Sequence, residues 1–229
     1  MNLVIFDIDG TLVDSVKTDD ECFVQTFKNL YNIDLSASKW TDFTNVTDLG
    51  LTTEIFEQNF GQKPTKSEIV NIKTYFYDLL SKRQKNFNEI QGAVEFVETL
   101  RSTKNFEIAV ATGGWKETAL LKTKSICLDL SKTVLKSSND HFNRAEIIKM
   151  AIATSAKKKN LKTFESVTYI GDGIWDFKVS LDLGLKFIGI DNSSNGNLKK
   201  AGAKIIFSDF KKKQEIINWT LKSSATIKV

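Results

Sequence analysis

Short apolar runs rich in Val, Ile and Phe punctuate the chain at Leu3 to Phe6, Phe106 to Ala111, Val167 to Ile170, Lys186 to Ile190 and Lys204 to Phe207. Each leads into a polar or glycine-bearing turn, the pattern of parallel strands buried on both faces. Between them, apolar positions recur at helical spacing, as in Ala93, Val94, Phe96, Val97 and Leu100, and again in Ile147, Ile148, Ala151 and Ile152. Strand alternating with helix predicts an α/β fold with a doubly wound, mainly parallel, Rossmann-like sheet.

The segment 15–87 breaks this alternation. It is patterned as helix throughout, with one stripe of Phe23, Val24, Phe27, Leu30 and Tyr31 and another of Ile69, Ile72, Tyr75, Phe76, Leu79 and Leu80. The single proline, Pro64, stands just before the second stripe, where it marks a loop and a helix start. The expected organisation is a core of residues 1–14 and 88–229 with a small helical insert of 15–87.

Composition narrows the function classes. With 229 residues, 41% hydrophobic and 26% charged, the chain has an ordinary globular composition. Its net charge of +4 is spread along the chain, and the runs Lys157–Lys159 and Lys211–Lys213 are expected to be solvated helix ends or loops rather than a nucleic-acid patch. Cys22 and Cys127 match no metal-ligand spacing and build no disulfide framework. The opening MNLVIFDIDG lacks a basic leader region, and its apolar stretch is too short for a signal peptide or membrane span. These features predict a cytoplasmic protein with neither nucleic acid nor membrane as partner.

Three clusters carry candidate chemistry, each at the end of a predicted strand, where open α/β sheets bind ligands. The first is Asp7-Ile8-Asp9-Gly10-Thr11-Leu12-Val13-Asp14-Ser15. Asp7 and Asp9 can project side by side into the crevice, Gly10 allows a sharp turn, and two carboxylates that close call for a cation such as Mg²⁺. A turn or helix-capping pair is the alternative. The second cluster is Gly171-Asp172-Gly173-Ile174-Trp175-Asp176, where Asp172 lies in the loop and Asp176 can share a helix face with it. The third, Ala111-Thr112-Gly113-Gly114-Trp115, offers a hydroxyl and close-packed N–H donors to an anion such as phosphate.

The DxDGTLxDS start, the apolar strand ending in Thr112 and the GDGxxD segment, in this order, resemble the haloacid dehalogenase-like superfamily. The insert is similar to the helical cap of its phosphoglycolate phosphatase-like members. The resemblance implies Asp7 as the nucleophile that forms an aspartyl-phosphate, and Asp9 as the acid that protonates the leaving group and then activates water. It implies Mg²⁺ held by the Asp7 carboxylate, the Asp9 carbonyl and Asp172, with Asp176 in support. Thr112 and the Gly113 N–H, with Gly10 beside them, would hold the phosphoryl oxygens. The family also places a basic residue between the second and last motifs, often in a KP-type pattern that is absent here. Arg144 is the expected substitute, ahead of Lys149 and Lys136, because it would open a helix after a short Val134 to Ser137 strand and can grip phosphate by its fork.

The resemblance further implies hydrolysis of a small phosphorylated metabolite by a monomer or homodimer. Phosphoryl transfer, as in a phosphomutase, is one alternative, and a non-catalytic phosphate-binding protein another. A resembling sugar phosphomutase carries a cap histidine about a dozen positions after its nucleophile, whereas Asp19 and Asp20 stand there in this chain, which argues against a mutase. Haloalkanoic dehalogenases lack the second aspartate and the metal, so Asp9 and Asp172 argue against dehalogenation. The loop Asn45 to Gly50 resembles the cap loop that faces the active site, with Thr47 as a substrate contact and Asp48 as a partner for a polar or cationic leaving group. Trp115 and Trp175 are candidate pocket walls, with core packing as the alternative.

Overall fold

In a computed structural model that describes residues 1–221 and, as a two-residue strand, Ile227–Lys228, the core is a six-stranded, wholly parallel sheet. Asn2–Phe6 lies near its middle, between Phe106–Ala111 and Ser166–Gly171. Val134–Lys136 extends the sheet on one side, and Lys186–Ile190 and then Ile206–Phe207 extend it on the other. The central strands are buried at every position because helices cover both faces, which explains their unbroken apolar runs. The run from Lys204 pairs as a regular strand only at Ile206–Phe207. This is the sheet edge with a single neighbour, and it follows a turn with Gly202 at φ 101°.

The segment after the first strand holds three helices, α1 (Val16–Tyr31), α2 (Asp48–Phe60) and α3 (Lys66–Lys82). Its two ends run side by side, because Val13–Asp14 pairs antiparallel with Asn88–Glu89. Local sequence sets the helix starts. Thr65, directly after Pro64, caps α3 and exchanges hydrogen bonds with Glu68, and the Thr47 hydroxyl accepts the Gly50 N–H to cap α2. The predicted stripes face each other, with Phe23 and Phe27 of α1 buried against Ile72 and Phe76 of α3. Phe23 and Phe76 meet edge to face at 5.6 Å.

Four further helices flank the sheet near the site: α4 (Ala93–Ser102), α5 (Lys116–Ser125), α6 (Arg144–Lys159) and α7 (Ile174–Asp182). Trp115, at the head of α5, is 1% exposed and joins the aromatic stack of the insert, 5.8 Å from Phe76 and 6.5 Å from Phe23 between ring centroids. The insert and the core therefore share one apolar cluster. No described helix is long and apolar enough to cross a membrane.

Phe76 has no solvent exposure and lies at this junction. Phe76→Ala should lower the unfolding free energy by about 3–5 kcal/mol, read from the urea midpoint at unchanged m-value.

Candidate active site

The register of the two central strands builds the acidic centre. Phe6 pairs with Ile170, and the Asp7 N–H donates to the Ile170 carbonyl at 2.9 Å, so the chains leave the sheet together and place Asp7 beside Asp172. Carboxylate oxygens of Asp7, Asp172 and Asp176 lie within 4.8 Å of one another. Gly10 is required between them. Its φ is +71°, and a β-carbon there would stand 2.0 Å from Asp172 Oδ2.

Arg144 answers part of this charge. Its side chain is 12% exposed, and Nη1 lies 2.8 Å from Asp176 Oδ1 and 3.5 Å from Asp7 Oδ1. Nη2 donates to the Val46 carbonyl at 3.0 Å, and Asn143 caps the helix that Arg144 opens. Of the other basic candidates, Lys136 pairs with Asp140 and Lys149 with Glu146, both outside the acidic centre. Asp176 also accepts the Gly173 N–H at 3.0 Å, so its oxygens are engaged and it holds Arg144 from behind. Asp7 Oδ1, by contrast, is buried and accepts no hydrogen bond.

The balance remains negative. Burial, then Asp176 and Asp9, push the Asp7 carboxyl up to about 7 against the opposing pull of Arg144. Burial, then Asp176, Asp7 and Asp9, hold Asp172 well above the ordinary carboxylate range. Oxygen donors in excess of nearby cations, with one buried oxygen left without a donor, suit a hard divalent cation, so the residues fit the ion that the family resemblance implies. Asp7 and Asp172 would hold it.

Asp9, two residues on, has a different surrounding. Its Oδ1 accepts the Ser15 hydroxyl at 2.5 Å and lies 2.6 Å from Nζ of Lys122. Lys122 was not among the sequence candidates. It stands on the buried face of α5 with Thr118, Ala119 and Thr123, and a lysine in such a row was the available signal.

The turn predicted to cradle an anion begins where the Phe106–Ala111 strand ends. Thr112 is 1% exposed, and its Oγ1 accepts the Gly114 N–H at 3.1 Å, leaving the hydroxyl proton free to donate. At Gly113 a β-carbon would stand 2.2 Å from Arg144 Nη2, so glycine is what lets the guanidinium reach the centre.

The Asn45 to Gly50 loop closes over these residues. The Thr47 hydroxyl donates to the Phe142 carbonyl at 2.6 Å and accepts the Gly50 N–H to cap α2, and Thr47 also lies on the wall of the cavity between insert and core. Asp48 is buried. Its N–H donates to the Gly113 carbonyl at 2.8 Å and its Oδ2 accepts the Trp115 N–H at 2.7 Å. Asp48 thus fastens the insert to the strand-to-helix turn. A cavity of about 160 Å³ remains between insert and core, lined by Asp7, Asp9, Thr112, Arg144 and Asp172 and, on the insert side, by Asp19, Asp20, Phe23 and Trp40. Trp175 lines it too, whereas Trp115 is packed in the aromatic stack.

Fold and site together define a doubly wound α/β protein with a buried carboxylate centre at the carboxyl edge of its sheet, the class of Rossmann-like hydrolases. The chain belongs to the haloacid dehalogenase-like hydrolase family, whose model matches residues 4–190. Among solved structures it is similar to a hydrolase from Pseudomonas syringae, with 24% identity over 98% of this chain and 100% of that one and a TM-score of 0.73. A proposed beta-phosphoglucomutase from Bacteroides vulgatus is 21% identical over 97% and 91%, with a TM-score of 0.72. A predicted phosphoglycolate phosphatase from Haemophilus somnus is 16% identical over 95% and 98%, with a TM-score of 0.67. These likenesses are likenesses of fold. No curated protein is a significant match.

Burial, with Asp9 adding to it, raises the Asp48 carboxyl from 3.8 to about 7 despite Lys122 and the Trp115 N–H. The folded state then binds a proton that the unfolded state releases, so stability falls as pH rises through that window and the penalty is complete above it. Asp48→Asn keeps an acceptor for Trp115 and removes the penalty. Its melting temperature should exceed that of wild type by roughly 2–4 °C at about pH 8, and the difference should vanish near pH 4, as scanning calorimetry would show.

Proposed function

We propose that the chain is a magnesium-dependent phosphatase that hydrolyses a small phosphomonoester through an aspartyl-phosphate on Asp7. The observation that carries this reading is Asp7 itself: a buried carboxylate oxygen that accepts no hydrogen bond, 3.5 Å from Arg144 and facing a cavity whose other wall is the Thr112 turn. In the proposed reaction an Asp7 oxygen attacks phosphorus as the ester P–O bond breaks, and the leaving oxygen takes a proton from Asp9. Asp9 then removes a proton from water as that water attacks the aspartyl-phosphate, which releases inorganic phosphate and restores both carboxyl groups. Arg144, the Thr112 hydroxyl and the Gly113 N–H hold the non-transferring oxygens. Asp7, Asp172 and the Asp9 carbonyl would hold Mg²⁺, which would supply the positive charge that lets a carboxylate meet a phosphate dianion.

The cavity of about 160 Å³ between insert and core supports a small free metabolite as substrate, and the reading includes a cytoplasmic monomer or homodimer in which residues 15–87 act as cap to a core of 1–14 and 88–229. Asp20, which lines the insert side of the cavity, supports hydrolysis over mutase chemistry because its carboxylate would repel a leaving group that carries a second phosphate.

Release of inorganic phosphate from a panel of phosphomonoesters with Mg²⁺ tests the proposal. Wild type should turn over at least one ester, and Asp7→Asn should lower kcat by more than about 10³-fold. EDTA should abolish turnover and added Mg²⁺ restore it. A folded wild-type protein that releases no phosphate from any ester would overturn the reading.

A further inference from the structure

Lys122 is the only lysine among the described residues that is fully buried, and neither the acidic centre nor the phosphate cradle uses it. Its Nζ lies 2.6 Å from Asp9 Oδ1 and pairs also with Asp19 Oδ1 of α1. Burial alone would strip the proton from such an ammonium. Asp19, Asp9 and Asp48 more than reverse that effect and hold Lys122 charged well above the ordinary lysine range. An ammonium withdrawn this far from water is costly to place, and an apolar pairing of α1 with α5 would serve packing at least as well.

What the ammonium does is visible at Asp9. Oδ1 accepts the Ser15 hydroxyl at 2.5 Å and is ion-paired with Lys122 Nζ at 2.6 Å. Oδ2 turns to the Thr112–Gly114 side, where a β-carbon built on Gly114 would stand 3.6 Å from both Asp9 Oδ2 and Thr112 Oγ1. One oxygen is held by protein groups, and the other lies on the side of the Thr112–Gly114 turn, the turn that the phosphatase reading assigns to phosphate. We propose that Lys122 is the positioning residue of the acid–base step: it holds Asp9 by Oδ1, so that Oδ2 is the oxygen that gives the proton to the leaving group and takes one from water. Asp19 holds Lys122 in turn, so the first helix of the insert takes part in aiming a core residue. The inference rests on the phosphatase reading. The competing account is a structural ion pair that fastens α1 to α5 and has no part in proton transfer.

The two accounts differ in how catalysis depends on the leaving group. p-Nitrophenolate leaves without a proton, whereas the alkoxide of glycerol 3-phosphate needs one. Pre-steady-state kinetics of wild type and Lys122→Met with both esters, in Mg²⁺, form the test. The double variant Lys122→Met/Asp19→Asn removes the buried cation together with one of its anions, so that a folded protein without the clamp is available if the single variant is unstable.

In either folded variant, kcat for glycerol 3-phosphate should fall about 10²-fold or more. With p-nitrophenyl phosphate, a burst of one nitrophenolate per active site should persist at close to the wild-type rate. It should be followed by slow turnover, because hydrolysis of the aspartyl-phosphate still needs the base. Equal loss in the burst and in glycerol 3-phosphate turnover, or no loss in either, overturns the role of Lys122 while wild-type activity sensitive to Asp7→Asn keeps the phosphatase reading. A wild type that hydrolyses neither this pair nor any other ester overturns both.

Discussion

Asp7, Asp9, Asp172 and Asp176 converge at the carboxyl ends of two adjacent central strands, Asp7 and Asp176 buried and the other two partly so, and their mutual repulsion is the constraint around which the rest of the structure is arranged. Two cations meet it, each at its own carboxylates. Arg144, at the first position of α6, takes Asp176 and Asp7, and Lys122, on α5, takes Asp9 and Asp19. Guanidinium and ammonium are suited to these places. The planar fork bridges two carboxylates and a carbonyl at once, whereas the compact ammonium fits at the end of a helix side chain between two aspartates. Positive charge is still in deficit around Asp7 and Asp172, an arrangement that suits a divalent cation.

The same groups that balance the charge also set the position of the insert. Arg144 reaches past the acidic centre to the Val46 carbonyl, and Asp48 grips the Trp115 N–H and, through its own N–H, the Gly113 carbonyl. The turn that would hold phosphate is therefore the turn to which the insert is fastened. Beneath this polar seam, Phe23 and Phe76 pack on Trp115 and supply non-directional attraction, while the hydrogen bonds define the register. The resulting cavity has one wall from the sheet and one from α1 and the loops, so one side of it belongs to the insert.

Much of this was legible in the chain as a string of letters. The five apolar runs mark strands because both faces of a parallel sheet are covered, and the acidic and glycine-bearing turns mark the sheet's carboxyl edge because ligands bind there. Arg144 could be preferred over Lys136 and Lys149 because it opens a helix directed at that edge, and it is the one of the three that reaches Asp7. Lys122 was not legible in the same way. Its partners are 113 and 103 residues earlier, and a lysine in a helix ordinarily faces water. Asp48 was placed in the correct loop, but its burial depends on the docking of that loop against Trp115, which no local pattern encodes.

Local order in the sequence determined which segments become strands and helices and which carboxylates stand at strand ends, because periodicity, glycine turns and helix caps act over a few neighbouring residues. The family followed from the same short motifs. Tertiary structure alone decided which oxygen of Asp9 is held and which is free, which cation serves which carboxylate, and how the insert closes the cavity. Those are matters of distance between segments far apart in the chain, and in a poorly hydrated interior a charge is governed by whatever lies a few ångströms away in space.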